Sequence, residues 1–214
     1  MVKSSPTRRA YDGSRRQAAA RDTQRAILDA AAELFVDPGY AGARLSDVAR
    51  RADVAVPTVT AHFGSKKGLL SAVLDVAIAG DDEPIPMAER SFVDDINAEP
   101  TARGKLERYA LELSDTMARV ATMMLALEHA AAVDPDAAVI LAKNNEERRH
   151  AMSMFGTTLR STGEVRPDLS FDETVSVLVL AMSVRNYDWL VRQRGFSAER
   201  YRRWYVDSVA GALL

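Results

Sequence analysis

Apolar residues recur at helical spacing along most of this chain of 214 residues, and no stretch of useful length alternates apolar and polar residues as a strand would. Near the N-terminus, Ile27, Ala30, Ala31 and Leu34 follow the i, i+3, i+4, i+7 pattern of one helix face. Helices with one apolar face pack against each other to bury it. The pattern therefore predicts an all-α fold of about nine helices.

Helix-breaking residues divide the chain near Gly80. Helical spacing resumes only around Leu106, because the intervening segment holds an acidic run and the prolines Pro84, Pro86 and Pro100. We therefore predict two domains, at residues 21–80 and 81–214. Within the second, Phe171 to about Arg194 reads as one long helix.

Residues 1–20 are polar and basic, which predicts a disordered basic arm. Residues 1–80 carry more Lys and Arg than Asp and Glu, whereas residues 81–214 carry the reverse. This asymmetry is typical of a chain that meets a polyanion with one end, although a solvated tail would carry the same charges.

Several function classes are excluded by composition. The chain has no cysteine, so disulfides, thiolate metal ligands and cysteine nucleophiles are excluded. No two of the histidines lie at i, i+4, and no nucleophile with a partner base or Gly-rich phosphate loop is present. We therefore expect no enzyme activity, no cofactor and no metal. Without a long apolar run or a signal-peptide pattern, we predict a cytoplasmic protein with no membrane partner.

Two short helices joined by a tight turn are predicted between residues 45 and 63. The first is Leu45–Ala52, and the second is Val56–Phe63. Asp53, in the turn between them, is expected in the left-handed conformation, which Asp tolerates better than most residues with a side chain. Short helices in this arrangement are the outline of a helix-turn-helix.

The second of these helices has one apolar and one polar side. Val59 is predicted to be buried with Val54 and Phe63, which turns Thr58, Thr60, Ala61 and His62 outward. Short, uncharged side chains suit a helix end that enters the major groove of DNA, because bulky groups would hold the backbone away from the bases.

Residues 27–75, with the sequence ILDAAAELFVDPGYAGARLSDVARRADVAVPTVTAHFGSKKGLLSAVLD, resemble the DNA-binding domain of the TetR family of bacterial transcriptional regulators. The run from His62 to Leu70, with Phe63, Ser65 and Lys66, is the most specific part. The resemblance implies an N-terminal three-helix helix-turn-helix domain. It also implies a larger helical domain that binds a small-molecule effector and forms a dimer.

The resemblance assigns roles to individual side chains. Thr58 would contact a base edge or a phosphate, and Thr60 and His62 would contact phosphates. Lys66 would hold a phosphate near the start of the next helix, where exposed N–H groups and the helix dipole favour anions.

Two positions depart from the family pattern, in which Tyr usually replaces Thr60 and Thr usually replaces Arg44. Arg44 cannot cap a helix through a side-chain acceptor, but it could pair with a DNA phosphate. Ser46 is the alternative cap. The arm residues Arg15, Arg16 and Arg21 could add DNA contacts or have no role.

The helix from Phe171 is apolar almost all round its first half, so it must be buried on more than one side. With the last helix it could form a symmetric four-helix interface between two copies of the chain. The predicted interface residues are Val177, Leu180, Val184, Trp204, Tyr205 and Val209.

Methionines concentrate on the middle helices and favour an adaptable apolar cavity. Ordinary core packing is the alternative for each of them. The candidate pocket residues are Met123, Leu127, His129, Met152, Phe155 and Met182. An apolar or amphipathic effector of unknown identity is predicted.

These features together predict a ligand-responsive repressor that binds palindromic double-stranded DNA as a homodimer and is released by its effector. It would be nucleoid-associated when bound to DNA. The alternative is a dimeric small-molecule-binding or interaction protein in which Arg44 and Thr60 have weakened DNA binding.

Overall fold

A computed structural model describes residues 7–81, 83 and 85–214, apart from the side chains of residues 7–14, 16 and 88. The chain divides into two compact units, Met1–Val73 and Leu74–Leu214. The division falls inside a helix rather than near Gly80. That helix has buried residues on both sides of the division, Val73 and Leu74 among them. The breakers after Gly80 therefore mark the end of a helix and not the border between two cores.

The N-terminal unit consists of helices. They are α1 (Thr7–Leu34), α2 (Leu45–Arg51), α3 (Val56–Phe63) and the first part of α4 (Lys66–Ala79). Their core is built from apolar residues that are at most 5% exposed: Ile27, Leu28, Phe35, Val48, Val59 and Leu69.

The C-terminal unit contains the end of α4 and the remaining helices. These are α5 (Ser91–Ala98), α6 (Ala102–Ala131), α7 (Pro135–Arg160), α8 (Phe171–Ala181), α9 (Val184–Tyr187, continued by a helical segment Asp188–Gln193) and α10 (Ala198–Leu213). Helix α6 packs against α7 and α10, and α8 packs against α7 and α10. No strand occurs among the described residues. The all-α prediction is confirmed.

Helix α1 begins at Thr7, inside the stretch predicted to be a disordered arm. Residues 7–20 are therefore helical, and the rest of the predicted arm lies outside the described residues. Ala18, Ala19 and Ala20 are strong helix formers, and no proline interrupts the sequence between residues 7 and 34. Charge and polarity predicted disorder here, whereas helix propensity decides the local structure.

The predicted single helix from Phe171 to Arg194 is wrong, because it breaks at Met182 and Ser183. The Ser183 hydroxyl accepts a hydrogen bond from the Arg185 backbone N–H at 3.3 Å and so caps α9. The Asn186 side-chain amide donates to the carbonyl oxygens of Leu180 and Ala181 at the end of α8, at 2.8 and 3.2 Å. These two side chains satisfy backbone groups that a continuous helix would pair internally.

No helix among the described residues is long and apolar enough to cross a membrane.

Candidate functional site

Helices α2 and α3 are held together by small and branched apolar residues. Val48 and Val59 are 0% exposed and Ala49 is 2% exposed. Asp53 has a positive φ of 53°, which confirms the left-handed turn residue predicted from the sequence. The Val54 N–H then donates to the Ala49 carbonyl at 2.9 Å and closes the turn. Val54 and Phe63 are half-buried beside this core.

The outward side of α3 carries the residues predicted to face DNA. Thr60, Ala61 and His62 are exposed, and Thr58 is half-buried. The Thr60 hydroxyl donates to the Pro57 carbonyl at 3.0 Å, so its proton is used within the helix while its oxygen can still accept a hydrogen bond. The exposed face carries short side chains and no Lys, Arg, Asp or Glu.

Lys66 lies half-buried at the first position of α4. Its ammonium is 3.5 Å from the Ala41 carbonyl oxygen and 4.3 Å from the centre of the Tyr40 ring. The Tyr40 ring is itself buried and packs edge-on against Phe35, with ring centres 5.3 Å apart. The aromatic ring and the carbonyl therefore hold a cation beside the N-terminus of α4, where helix N–H groups add positive potential.

Gly68 permits the close approach of α3 and α4. A Cβ atom added there would lie 2.2 Å from the Phe63 carbonyl oxygen, in the backbone at the end of α3. The Gly68 N–H donates to the Ser65 hydroxyl at 3.1 Å, which is the cap that starts α4. The turn that places Lys66 thus depends on the absence of a side chain at position 68.

Two other arginines of this unit form ion pairs with acidic side chains. Arg50 pairs with Asp47 at 2.8 Å, and Arg51 pairs with Glu33. Arg44 is exposed at the N-cap position of α2 and makes no capping bond. Helix α2 begins at Leu45, so Ser46 does not provide a later start.

Arg15 and Arg21 are exposed on the N-terminal part of α1. The side chain of Arg16 lies outside the described residues.

The candidate pocket residues of the C-terminal unit separate into two groups. Met123, Leu127, Met152 and Phe155 are at most 7% exposed, and Met182 is half-buried. His129 is exposed in the last turn of α6, so its assignment to an interior pocket is wrong for this structure. It follows Leu127 by two positions, and residues two apart lie on nearly opposite sides of a helix.

Buried tyrosines are the polar groups that the sequence analysis missed in this core. The Tyr109 ring stacks on Phe155 at 4.6 Å and lies 5.8 Å from the Tyr205 ring. Tyr201 and Tyr205 are both 0% exposed. Burial raises the pKa of Tyr109, Tyr201 and Tyr205 above the ordinary tyrosine value. A phenol with the ordinary value is already uncharged at neutral pH, so all three keep their O–H donors there. Only their spacing on amphipathic helices could have indicated them.

The predicted dimer residues also divide in two. Tyr205 and Val209 are 0% exposed and Val184 is 3% exposed, so these three belong to the core of their own subunit and the interface assignment is wrong for them. Each sits on the inner face of its helix. Leu180 is 71% exposed, and Val177 and Trp204 are half-buried. Trp189, which the sequence analysis did not select, is 55% exposed.

Arg119 of α6 holds the C-terminal end of α4. Its Nε donates to the Ala77 carbonyl at 3.1 Å, and its Nη2 donates to the Ile78 carbonyl at 3.2 Å and to the Thr116 hydroxyl at 3.0 Å. Thr116 in turn donates to Glu112 at 3.1 Å. A cation at the C-terminus of a helix also interacts favourably with the helix dipole.

Replacing Arg119 with Met is expected to loosen the end of α4, because two terminal carbonyls lose a charged donor, at a cost of about 1–3 kcal/mol. Hydrogen exchange at residues 76–80 should become faster, while exchange in the centre of α7 stays unchanged. The control is Arg103→Met, also on α6, which removes an exposed ion pair with Asp207 of α10. Equal exchange in the two variants would show that Arg119 does not hold α4.

Comparison with known proteins supports an assignment of the fold. Residues 27–73 match the sequence model of the family described as bacterial regulatory proteins, tetR family. The matched stretch therefore carries the sequence pattern of a tetR-family DNA-binding region. It contains the whole helix-turn-helix and Lys66.

Curated relatives match part of the chain. It is 43% identical over 60 residues to the A-factor receptor protein of Streptomyces griseus, covering 28% of this chain and 22% of that protein. It is 30% identical over 125 residues to an HTH-type transcriptional repressor of Mycobacterium tuberculosis, covering 55% of this chain and 65% of that protein. The matches therefore span less than two thirds of these relatives.

A solved structure shows the same fold. The transcriptional regulator FadR of Bacillus subtilis, in complex with stearoyl-CoA, superposes with a TM-score of 0.68 at 17% identity, covering 89% of this chain and 100% of that chain. The likeness extends over both units of the chain, beyond the stretch matched by the family.

Proposed function

We propose that this chain is a ligand-responsive transcriptional regulator, most simply a repressor, that binds palindromic operator DNA as a homodimer. The observation that carries the proposal is the face formed by α3 and the start of α4. Short side chains are exposed on α3, and the anchored ammonium of Lys66 follows directly. The M. tuberculosis relative, by its description a repressor, supports the direction of regulation.

In this proposal α3 enters the major groove. Thr58 contacts a base edge or phosphate, and Thr60 and His62 contact phosphates as hydrogen-bonding partners. Lys66 binds a phosphate as a point charge. Arg44, exposed and without a capping bond, adds a phosphate contact on the other side of the turn. Arg15 and Arg21 of α1 can reach further phosphates in the same way.

Of the six interface residues predicted from the sequence, the proposed dimer keeps only those that are still partly exposed in the single chain. Leu180, Val177 and Trp204 meet this condition. A second copy of this chain related by two-fold symmetry would cover them, and two α3 helices about one DNA turn apart would read a palindrome.

Regulation is proposed to follow from an effector bound in the core of the C-terminal unit, with Met123, Leu127, Met152, Phe155 and Met182 as apolar lining. In one conformation of the dimer, the separation of the two α3 helices would not match that of successive major grooves. An effector that binds this conformation more tightly would lower DNA affinity. The stearoyl-CoA bound to FadR supports an amphipathic effector for this chain.

Replacing Lys66 with Ala is expected to weaken binding to every DNA sequence about tenfold, since one charged phosphate contact contributes about 1.4 kcal/mol. The slope of log affinity against log salt should fall by about one. Fluorescence anisotropy with specific and unrelated duplexes over a salt series measures both quantities. Lys143→Ala on α7, which removes an equal charge, should change neither; equal effects of the two variants would contradict the assignment.

The alternative function is a small-molecule-binding or interaction protein with weakened DNA binding. It rests on Arg44 and Thr60, the two positions that depart from the family pattern. Arg44→Thr with Thr60→Tyr would restore the family pattern. If the double variant binds a specific duplex and the natural chain binds none, the alternative holds. If the natural chain already binds one sequence and the double variant changes affinity only modestly, the regulator proposal holds.

A further inference from the structure

The core of the C-terminal unit contains hydrogen-bonding groups that the fold itself does not use. The hydroxyls of Tyr201 and Tyr205 and the Nε–H of Arg148 are buried and have no hydrogen-bond partner among the described residues. Buried polar groups are normally paired, because leaving one unpaired costs about 1–3 kcal/mol. Three such groups, two on α10 and one on α7, indicate that something other than this chain pairs with them.

Each of these groups neighbours Tyr109. The Tyr109 ring lies 5.8 Å from the Tyr205 ring, and its pKa is raised by Tyr201 and lowered by Arg148. Arg148 shares a face of α7 with Met152 and Phe155, and Phe155 stacks on Tyr109. Among the residues that the structure describes, the Tyr109 hydroxyl has only a weak acceptor, the sulfur of Met182 at 3.8 Å.

The charge of this region favours hydrogen-bond acceptors. The Arg148 guanidinium donates one bond, to Asn145 at 3.1 Å, and its buried Nε–H can only donate. The neutral phenols add O–H donors. Glu112, the carboxylate that raises the pKa of Tyr109, already accepts from Thr116 and lies 3.6 Å from Arg119. The hydrogen-bonding groups that lack a partner are therefore mainly donors, and the guanidinium of Arg148 adds a positive charge beside them.

We propose that Tyr201, Tyr205 and Arg148 bind the polar head of an amphipathic effector through acceptor oxygens, as a carboxylate or carbonyl presents them. Its apolar part packs beside the flexible methionines Met152 and Met182, which can repack around it. This inference rests on the proposed function and gives the chemical class of the effector.

The expected signature of Tyr205→Phe has two parts. The free protein should be as stable as the natural chain or more stable, since removing an unpaired buried hydroxyl relieves a desolvation cost. Binding of an acceptor-headed ligand should weaken about tenfold, because the same hydroxyl is paired in the complex. If the Tyr205 hydroxyl instead made a hydrogen bond within the fold, Tyr205→Phe would make the free protein less stable.

The test uses decanoate, decanol and decyltrimethylammonium, which share one chain length and differ in head group. Thermal unfolding and isothermal calorimetry measure binding to the full chain, and Trp204, whose ring stacks on Tyr201 at 5.7 Å, gives a fluorescence signal. We expect decanoate to bind best and decyltrimethylammonium worst. Thr174→Val is the control, since the buried Thr174 hydroxyl already donates to the Ser170 carbonyl at 3.0 Å; this change should lower stability and leave probe binding unchanged.

Binding led by decyltrimethylammonium, or by none of the three probes, would overturn the proposal. So would a Tyr205→Phe protein that is less stable and binds decanoate like the natural chain, because the hydroxyl would then serve the fold alone. Duplex binding of the same proteins without probes is measured separately. A chain that binds decanoate and no DNA would contradict the proposed function, whereas a chain that binds DNA and no decanoate would contradict only this inference.

Discussion

Replacing Gly68 with Ala is expected to disrupt the N-terminal unit and abolish DNA binding. The new Cβ would lie 2.2 Å from the Phe63 carbonyl oxygen, and backbone cannot move aside as a flexible side chain can. Either α3 or α4 must shift, which breaks the Ser65 cap and displaces Lys66. Overpacking of this kind costs about 3 kcal/mol or more, a large part of the stability of a small unit.

Circular dichroism during thermal unfolding, combined with hydrogen exchange in α2 and α3, measures this effect. Ser71→Ala on the same helix is the matched control, and it should be neutral or slightly stabilising because Ala is the better helix former. A Gly68→Ala chain with unchanged melting and full DNA affinity would show that the close approach of α3 and α4 is not needed.

Replacing Leu180 with Arg is expected to convert the proposed dimer into monomers that keep their fold. The side chain is 71% exposed in the single chain, so a charge there leaves the subunit core intact. In a dimer interface the same charge would be buried without a partner, which is strongly unfavourable. Loss of the second half-site should then reduce affinity for a palindrome by about 100-fold or more.

Analytical ultracentrifugation and anisotropy on a palindromic duplex measure these two consequences. Leu111→Arg, at a site 44% exposed on α6, is the control for adding an exposed charge, and it should remain dimeric. If the Leu180→Arg chain stays dimeric, the interface lies elsewhere, with exposed Trp189 as the next position to change.

The helix-turn-helix could be predicted from the sequence because its signals are local. Turn chemistry placed Asp53 in the left-handed conformation, and the pattern of apolar residues placed Val59 inside and Thr60 outside. Such features depend on residues a few positions apart, so no knowledge of distant packing is required.

Features that depend on packing or on competing local tendencies were not predictable in the same way. The break between α8 and α9 depends on Ser183 and Asn186 satisfying helix ends, which an apolar pattern does not reveal. Tyr205 and Val209 were assigned to the dimer because their helix is amphipathic, yet periodicity cannot distinguish the subunit core from a partner. The early start of α1 reflects alanines that outweigh the basic, polar composition around them.

Selection of genomic DNA fragments by the purified chain, near physiological salt and followed by sequencing, tests the central claim most directly. The account predicts enrichment of one palindromic sequence, with Lys66→Ala weakening all sites alike. Fragments no more enriched than competitor DNA would contradict it, provided that the same result is obtained after unfolding and refolding to remove any bound effector.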